Sequence, residues 1–343
     1  MTEQPPRAMI LGCSGPNLNE TERRFFADAD PLGFMLFARN CVDPGQVRAL
    51  VGALRESVGR TDAPVLIDQE GGRVARLKPP HWRAAPAARH FADLARRDPV
   101  RAAEAARLNA RLVAAELNET GITVNCVPVL DVPQPGAHPV IGDRALGDTP
   151  ERVAELGRAV CEGVLDGGLL PVIKHIPGHG RALLDSHEEL PEVTAGRDEL
   201  EAVDWAPFRA LRAMPWAMTA HVVYRAIDAS RPATTSVGVI EQVIRGAIGF
   251  DGVLVSDDLS MKALKEGPGP SAAAALAAGC DLALHCNGVL AEMEPVAEAA
   301  GPCAEVTLGR LGRAEAMRRQ PKPIEVAEAQ RLLNGLLQGE DVG

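Results

Sequence analysis

The chain has 343 residues, 46% of them hydrophobic and 24% charged, which is the composition of a globular protein with a large core. The formal net charge is −10 and the basic residues are scattered, so the sequence argues against nucleic acid as a partner. No segment approaches the roughly 20 apolar residues of a membrane span, and the apolar run near the N-terminus is too short for a signal peptide. We therefore expect a cytoplasmic protein without a membrane partner.

Eight short apolar runs alternate with longer amphipathic segments, which is the pattern of repeated βα units around a parallel sheet. The runs are Ala8–Cys13, Gly33–Asn40, Pro64–Glu70, Ile122–Val132, Leu170–His175, Trp216–Tyr224, Gly252–Asp258 and Cys280–Cys286. Eight buried strands favour a closed (β/α)8 barrel of the TIM type, and a doubly wound open sheet is the alternative. No linker or internal repeat divides the chain, so we predict a single catalytic barrel domain over residues 1–343, with its core at about 8–300.

The predicted helices have recognisable ends. Three helix starts place a capping side chain directly before a proline: Asp43-Pro44, Asp98-Pro99 and Thr149-Pro150. Three glycines follow the last periodic residues of helices, where a left-handed residue closes a helix: Gly59, Gly121 and Gly167.

Two connections are longer than usual βα loops, Arg83–Asp98 and Ile176–Arg197, and such loops are normally functional. After Pro321 the periodicity predicts one more helix, Ile324–Leu337, packed on the barrel, and a frayed tail at residues 339–343.

The cysteines indicate reduced, buried thiols. Their number is odd and no two of them form a Cys-x-x-Cys pair, which argues against disulfides and a zinc site. They are Cys13, Cys41, Cys126, Cys161, Cys280, Cys286 and Cys303.

Polar residues are concentrated where three of the predicted strands end, in the segments 68–76, 174–180 and 256–261. In a barrel, all strand ends converge on one face, and that face carries the active site. A charged residue that closes an apolar strand must be solvated, paired or used in chemistry, because an unpaired buried charge costs several kcal/mol. We therefore expect a functional site at this face.

The adjacent carboxylates Asp257 and Asp258 follow one strand, so one should point toward the barrel axis as a nucleophile and the other toward the next helix start as a cap. Glycoside cleavage with retention needs a proton-transfer group about 5–5.5 Å from the nucleophile. Asp185-Ser186-His187 offers a histidine with an aspartate that fixes its tautomer, and histidine transfers protons near neutral pH. Taken alone, this tripeptide is more typical of a solvated turn.

Three further groups have open interpretations. Lys174 is a Schiff-base nucleophile, a ligand of sugar hydroxyls or a partner of Asp68 or Glu70. His175, His179 and His187 with Asp257 form a scattered metal set, but their spacing does not match a helical His-x-x-x-His pair, so we expect no metal. Arg144 donates paired hydrogen bonds to a sugar or a carboxylate, or forms a salt bridge that fixes its loop.

These segments together resemble a known family. The segments are Leu36-Phe37-Ala38-Arg39-Asn40, Ile67-Asp68-Gln69-Glu70-Gly71-Gly72-Arg73-Val74, Lys174-His175-Ile176-Pro177-Gly178-His179-Gly180 with Asp185-Ser186-His187, and Ser256-Asp257-Asp258-Leu259-Ser260-Met261. In order and spacing, from about residue 8 to 290, they resemble the bacterial β-N-acetylhexosaminidases of glycoside hydrolase family 3.

The resemblance implies that Asp257 is the nucleophile that forms a glycosyl-enzyme and that His187 is the acid/base, with Asp185 as its partner. It also implies that Asp68, Arg76, Arg144, Lys174 and His175 hold the sugar. The expected reaction is release of N-acetylglucosamine from 1,6-anhydro-N-acetylmuramic acid-containing muropeptides in cell-wall recycling, by a cytoplasmic monomer without metal or cofactor. The partner is then a small carbohydrate substrate.

Two departures from the family pattern concern substrate preference. Ile176 stands where the family usually has phenylalanine, and Ala145-Leu146-Gly147 stands where a serine and an aromatic residue are frequent. The alternatives are a β-glucosidase type of family 3, a metal-dependent barrel hydrolase, a lysine Schiff-base aldolase and an inactive sugar-binding protein.

Overall fold

The computed structural model describes residues 4–184, 186 and 189–338, and its centre is a closed barrel of eight parallel strands. The barrel strands are β1 Arg7–Leu11, β2 Pro31–Leu36, β3 Val65–Ile67, β4 Val124–Asn125, β5 Leu170–Ile176, β7 Trp216–Thr219, β9 Val253–Asp258 and β10 Leu282–His285. Their order around the barrel is β1-β10-β9-β7-β5-β4-β3-β2, so neighbours in sequence are neighbours in space and β10 closes the ring onto β1. The predicted (β/α)8 barrel is confirmed.

Helices surround this ring. They are α1 Glu20–Ala29, α2 Pro44–Ser57, α3 Ala88–Ala95, α4 Pro99–Glu119, α5 Pro150–Asp166, α6 Arg197–Ala202, α7 Ala206–Ala210, α8 Pro268–Ala278, α9 Leu290–Ala299, α10 Glu305–Met317 and α11 Val326–Gln338, with a π-helical segment at Val239–Ala247. The long connection after β3 contains α3, and α11 occupies the predicted C-terminal helix within two residues at its start. Residues 339–343 lie outside the described residues.

The barrel strands are buried on both faces, as parallel sheets require when helices cover them. Ile10 and Val172 pack with other strand residues in one apolar cluster, whereas Met9 and Leu11 pack in a second cluster with helix residues such as Phe26. Alternation along each strand therefore fills the barrel interior with one set of side chains and binds the helices with the other.

The predicted helix starts are confirmed. The side chains of Asp43, Asp98 and Thr149 each accept a hydrogen bond from the backbone N–H three residues later. Gly59 and Gly121 have positive φ values of 64° and 83°, as expected. The prediction for Gly167 is wrong: its φ is −81°, and the left-handed residue is Gly168 at 83°.

The predicted strand Trp216–Tyr224 is also only partly right. It divides into β7 and a short strand β8, Val223–Tyr224, which leaves the barrel and pairs in parallel with β6, Glu192–Val193. This two-stranded sheet ties the end of the long connection after β5 to the connection after β7.

The cysteine prediction agrees with the structure, in which all seven thiols are free and six are buried. Among the described residues, no helix is long and apolar enough to cross a membrane.

Candidate active site

A cavity of about 370 Å³ opens at the face where the carboxyl ends of the barrel strands meet. The barrel strands supply its floor and the connections after them supply its walls. Its lining includes every sugar-binding and nucleophile candidate that the structure describes: Asp68, Arg76, Arg144, Lys174, His175 and Asp257. Residues from segments far apart in sequence thus meet in one place, as the barrel prediction requires.

Lys174 lies at the centre of a charge network on one wall. Its side chain is 2% exposed, and its Nζ atom is 2.7 Å from Asp68 Oδ1 and 2.7 Å from Glu70 Oε1. Burial lowers the pKa of Lys174, but the carboxylates of Asp68 and Glu70 outweigh it and hold that pKa above its usual range. The amine is therefore protonated, which argues against a Schiff-base role.

The two carboxylates of this network are ionised. Burial raises the pKa of Asp68, but Lys174 and Arg76 outweigh burial and hold that pKa well below its usual range. Burial likewise raises the pKa of Glu70, and Lys174 with Arg144 lowers it to about 2. Both acids are fixed hydrogen-bond acceptors at neutral pH.

Two arginines complete the wall. Arg76 donates to Asp68 Oδ2 at 3.0 Å, and Arg144 forms a paired contact with Glu70 through Nε and Nη2, both at 2.8 Å. The paired contact is the salt bridge considered for Arg144 from the sequence. Because Arg144 also lines the cavity, it can fix its loop and still face a ligand.

The carboxylates at the end of β9 have different surroundings. Asp258 accepts hydrogen bonds from the backbone of Ser260 and Cys286, at 3.0 and 3.1 Å, and from Ser260 Oγ at 2.7 Å. Asp257 is half-buried and lines the cavity, and its Oδ1 accepts the backbone N–H of Asp258 at 2.8 Å. Asp258 thus has the capping environment, while both carboxylates are half-buried and line the cavity.

Asp131 is a buried residue of the site that the sequence analysis missed. It is fully buried, its Oδ2 is 2.7 Å from His175 Nδ1, and its Oδ1 accepts the backbone N–H of His179 at 2.6 Å. The sequence does contain a sign of this role, since Asp131 is a charged residue near the end of the apolar run Ile122–Val132. A charge in a buried strand requires a partner, and this requirement marks Asp131 as a candidate site residue.

Two further histidines lie beside the cavity. Burial lowers the pKa of His179 to about 4, so this imidazole is neutral, and its Nε2 is 3.2 Å from Ser186 Oγ. His221, also missed, contacts Thr234 Oγ1 and the carbonyl of Asp258, and burial lowers its pKa. Thr234 in turn contacts Thr219 Oγ1, which accepts the backbone N–H of Asp257 at 3.3 Å.

The predicted proton-transfer residues Asp185 and His187 lie outside the described residues. Ser186 between them is described, is buried and lines the cavity wall. Within the described part of the chain, no group of three or more His, Cys, Asp or Glu side chains is arranged to hold a metal ion.

Known proteins resemble this chain over most of its length. Residues 7–310 match the glycosyl hydrolase family 3 N-terminal domain. A β-hexosaminidase of Alkalilimnicola ehrlichii is 42% identical over 283 residues, which cover 81% of this chain and 80% of that protein. The native structure of NagZ from Neisseria gonorrhoeae superposes with a TM-score of 0.87 at 33% identity, covering 98% of this chain and 99% of that one. A complex of that enzyme with N-trifluoroacetyl-D-glucosamine superposes with a TM-score of 0.87 at 32% identity, covering 98% of this chain and 100% of that one.

Proposed function

This chain belongs to glycosyl hydrolase family 3 and is a β-N-acetylglucosaminidase of that family, and we propose that it acts with retention through a covalent glycosyl-enzyme on Asp257. The observation that carries the proposal is the position of Asp257, half-buried at the end of β9 in the same cavity as the Lys174 network. Attack by a carboxylate needs an oxygen that a sugar can reach, and Asp257 lines the cavity. Asp258 beside it is occupied by three hydrogen bonds.

The Lys174 network would hold the sugar. Lys174, Arg76 and Arg144 supply N–H donors, and Asp68 and His175 supply groups that face sugar hydroxyls from the same wall. Because Asp68 and Glu70 are ionised and already fixed by ion pairs, the wall is preorganised before a ligand arrives. The related Neisseria enzyme was crystallised with a glucosamine derivative, which supports an N-acetylglucosamine unit as the ligand of this wall.

His187 would protonate the leaving oxygen and then deprotonate the attacking water, with Asp185 as its partner. This assignment rests on the family resemblance of Asp185-Ser186-His187, and the burial of Ser186 in the cavity wall supports it. The natural substrate would be GlcNAc-1,6-anhydroMurNAc or its muropeptide in peptidoglycan recycling. The enzyme would act as a cytoplasmic monomer that needs no metal or cofactor.

The first experiment is hydrolysis of the p-nitrophenyl β-glycosides of N-acetylglucosamine and glucose, before and after dialysis against a chelator. We expect cleavage of the N-acetyl substrate alone, unchanged by the chelator. Preference for the glucoside would indicate a β-glucosidase type of family 3. Activity lost with the chelator and restored by a metal would indicate a metal-dependent hydrolase.

Azide distinguishes the two catalytic roles. Asp257→Ala should lose nearly all activity, and azide should restore turnover from the vacated face of the sugar to give the α-glycosyl azide. His187→Ala should keep the first step for p-nitrophenyl substrates, because nitrophenolate needs little protonation, and azide should give the β-glycosyl azide. His81→Ala, at an exposed histidine, is the matched control and should behave as wild type. Identical azide products from both variants would reject the assignment.

A further inference from the structure

The backbone of β9 leaves the barrel ladder just before Asp257. Its register with β7 ends at Val255, two residues earlier. Its register with β10 shifts between Val255 and Asp258, because β9 advances three residues while β10 advances two. An irregularity of this kind redirects a side chain and interrupts the hydrogen bonds between strands. The backbone around Asp257 therefore needs partners other than the neighbouring strands.

Three side chains from the end of β7 and the connection after it supply such partners. Thr219, His221 and Thr234 are fully buried, and we call them the His221 network. Thr219 Oγ1 accepts the backbone N–H of Asp257 at 3.3 Å, and His221 Nε2 lies 3.1 Å from the carbonyl oxygen of Asp258. Thr234 Oγ1 joins the two side chains, at 2.8 Å from Thr219 Oγ1 and 2.7 Å from His221 Nδ1. The network thus contacts the backbone at both ends of the aspartate pair.

The direction of the hydrogen bonds in the His221 network follows from its chemistry. A carbonyl oxygen only accepts, so His221 Nε2 carries a proton and donates to Asp258. Burial lowers the pKa of His221, so the ring has no second proton at neutral pH and Nδ1 accepts from the hydroxyl of Thr234. The carbonyl of Ala220 competes for that proton but is farther away, at 3.2 Å. Thr219 must then donate to Thr234.

We propose that His221 is a positioning residue, and that hydrogen bonds running from Thr219 through Thr234 to His221 fix the backbone that carries the Asp257 carboxylate. The inference rests on the proposed function and extends it to three buried side chains that are not among the residues lining the cavity. Attack on a sugar carbon requires close placement of the nucleophile, and an error of about 1 Å can cost about 100-fold in rate. The network supplies this placement where the strand ladder no longer does.

Substitutions of Thr219 test the proposal. Thr219→Val keeps the size of the side chain but removes the hydroxyl, so the N–H of Asp257 loses its acceptor, whereas Thr219→Ser keeps the hydroxyl. We expect kcat/KM for the p-nitrophenyl N-acetylglucosaminide to fall about 10- to 100-fold in Thr219→Val and less than about threefold in Thr219→Ser. Thr307→Val is the matched control, because Thr307 is also buried and donates to Asp281 at 2.8 Å, and it should leave kcat/KM unchanged.

The inhibition constant of N-acetylglucosamine separates positioning of the nucleophile from binding of the sugar. In Thr219→Val it should stay within about twofold of the wild-type value while kcat/KM falls. A parallel loss of inhibitor affinity would show that Thr219 acts on the sugar site, and would overturn the proposal. A lower melting temperature with unchanged kcat/KM would do the same, because it would show a role in stability alone.

Nitrogen-15 NMR of the histidine-labelled wild type reads the network without altering Thr219. Loss of one resonance set in His221→Gln assigns His221 among the eight histidines. We expect Nε2–H with unprotonated Nδ1 at pH 7. An Nδ1–H tautomer or an imidazolium would place a proton between His221 and Thr234, reverse that hydrogen bond and overturn the proposal. If the wild type cleaves no N-acetylglucosaminide, the proposed function fails, while the NMR result still decides the state of His221.

Discussion

Replacing Lys174 by methionine should show how strongly the site depends on its charge network. Lys174 is 2% exposed and lies 2.7 Å from each of two carboxylates that are 14% and 8% exposed, so Lys174→Met leaves Asp68 and Glu70 without their shared partner. Removing one member of a buried ion pair costs about 3–5 kcal/mol, because the remaining charge stays buried.

The pKa of Glu70 supports this magnitude. Its value of about 2, against a usual 4.5, corresponds to about 3 kcal/mol of stability at neutral pH, which Lys174 and Arg144 share. Because the pKa is lowered in the folded state, this stability is present above pH 4.5 and is lost as the pH falls toward 2. The difference between variant and wild type should therefore be largest near pH 7 and smaller below pH 4.5.

Urea unfolding followed by circular dichroism at several pH values measures this difference. Lys262→Met, at an exposed lysine, is the control and should change the free energy of unfolding by less than about 0.5 kcal/mol. Adding Glu70→Gln to Lys174→Met should recover part of the loss, since the amide has no charge and can still accept from Arg144. A loss below about 1 kcal/mol, or one that does not change with pH, would refute the reasoning.

Three further predictions concern stability. Burial raises the pKa of Asp204 to about 6 despite its 2.7 Å contact with Arg181, so the wild type should lose stability as the pH rises from 4 to 6. Asp204→Asn should gain up to about 3 kcal/mol relative to wild type between pH 4 and pH 8 in urea unfolding, and a constant difference would contradict this. Asp98→Ala should lower the melting temperature through about 1 kcal/mol of lost capping, while Asp98→Ser should not. In Gly180→Ala the new methyl group would overlap the carbonyl oxygen of Val132, so we expect about 1–3 kcal/mol of destabilisation in chemical unfolding. Gly196→Ala, which meets no atom within 4 Å, should be nearly neutral.

The barrel could be predicted from the sequence because its strands are buried on both faces. Strands of this kind consist of continuous apolar residues, which are easy to recognise in a sequence. The helix starts could also be predicted from the sequence, because the side chains of Asp98 and Thr149 accept a hydrogen bond from the backbone N–H three residues later. Such local interactions need no knowledge of the rest of the molecule. The sequence could not show whether Gly167 or Gly168 is the left-handed residue, because either of two adjacent glycines can adopt that conformation.

The site was predictable where charged residues end strands, and it was not where partners come from elsewhere. Asp68, Lys174 and Asp257 each close an apolar run, so their convergence followed from the barrel. Which carboxylate pairs with Lys174 depends on the three-dimensional arrangement of β3 and β5, and the answer is both Asp68 and Glu70. Asp131 was missed because its partners lie more than 40 residues away.

Closure of the barrel has a consequence for folding during synthesis. The last strand to leave the ribosome, β10, lies between β1 and β9, and Arg7 Nη1 donates to the carbonyl of Ala297 across 290 residues of sequence. Contacts between distant residues form slowly, and open strand edges promote aggregation. A nascent chain that stops before Cys280 has two such edges, on β1 and β9, and we expect it to aggregate until β10 joins them.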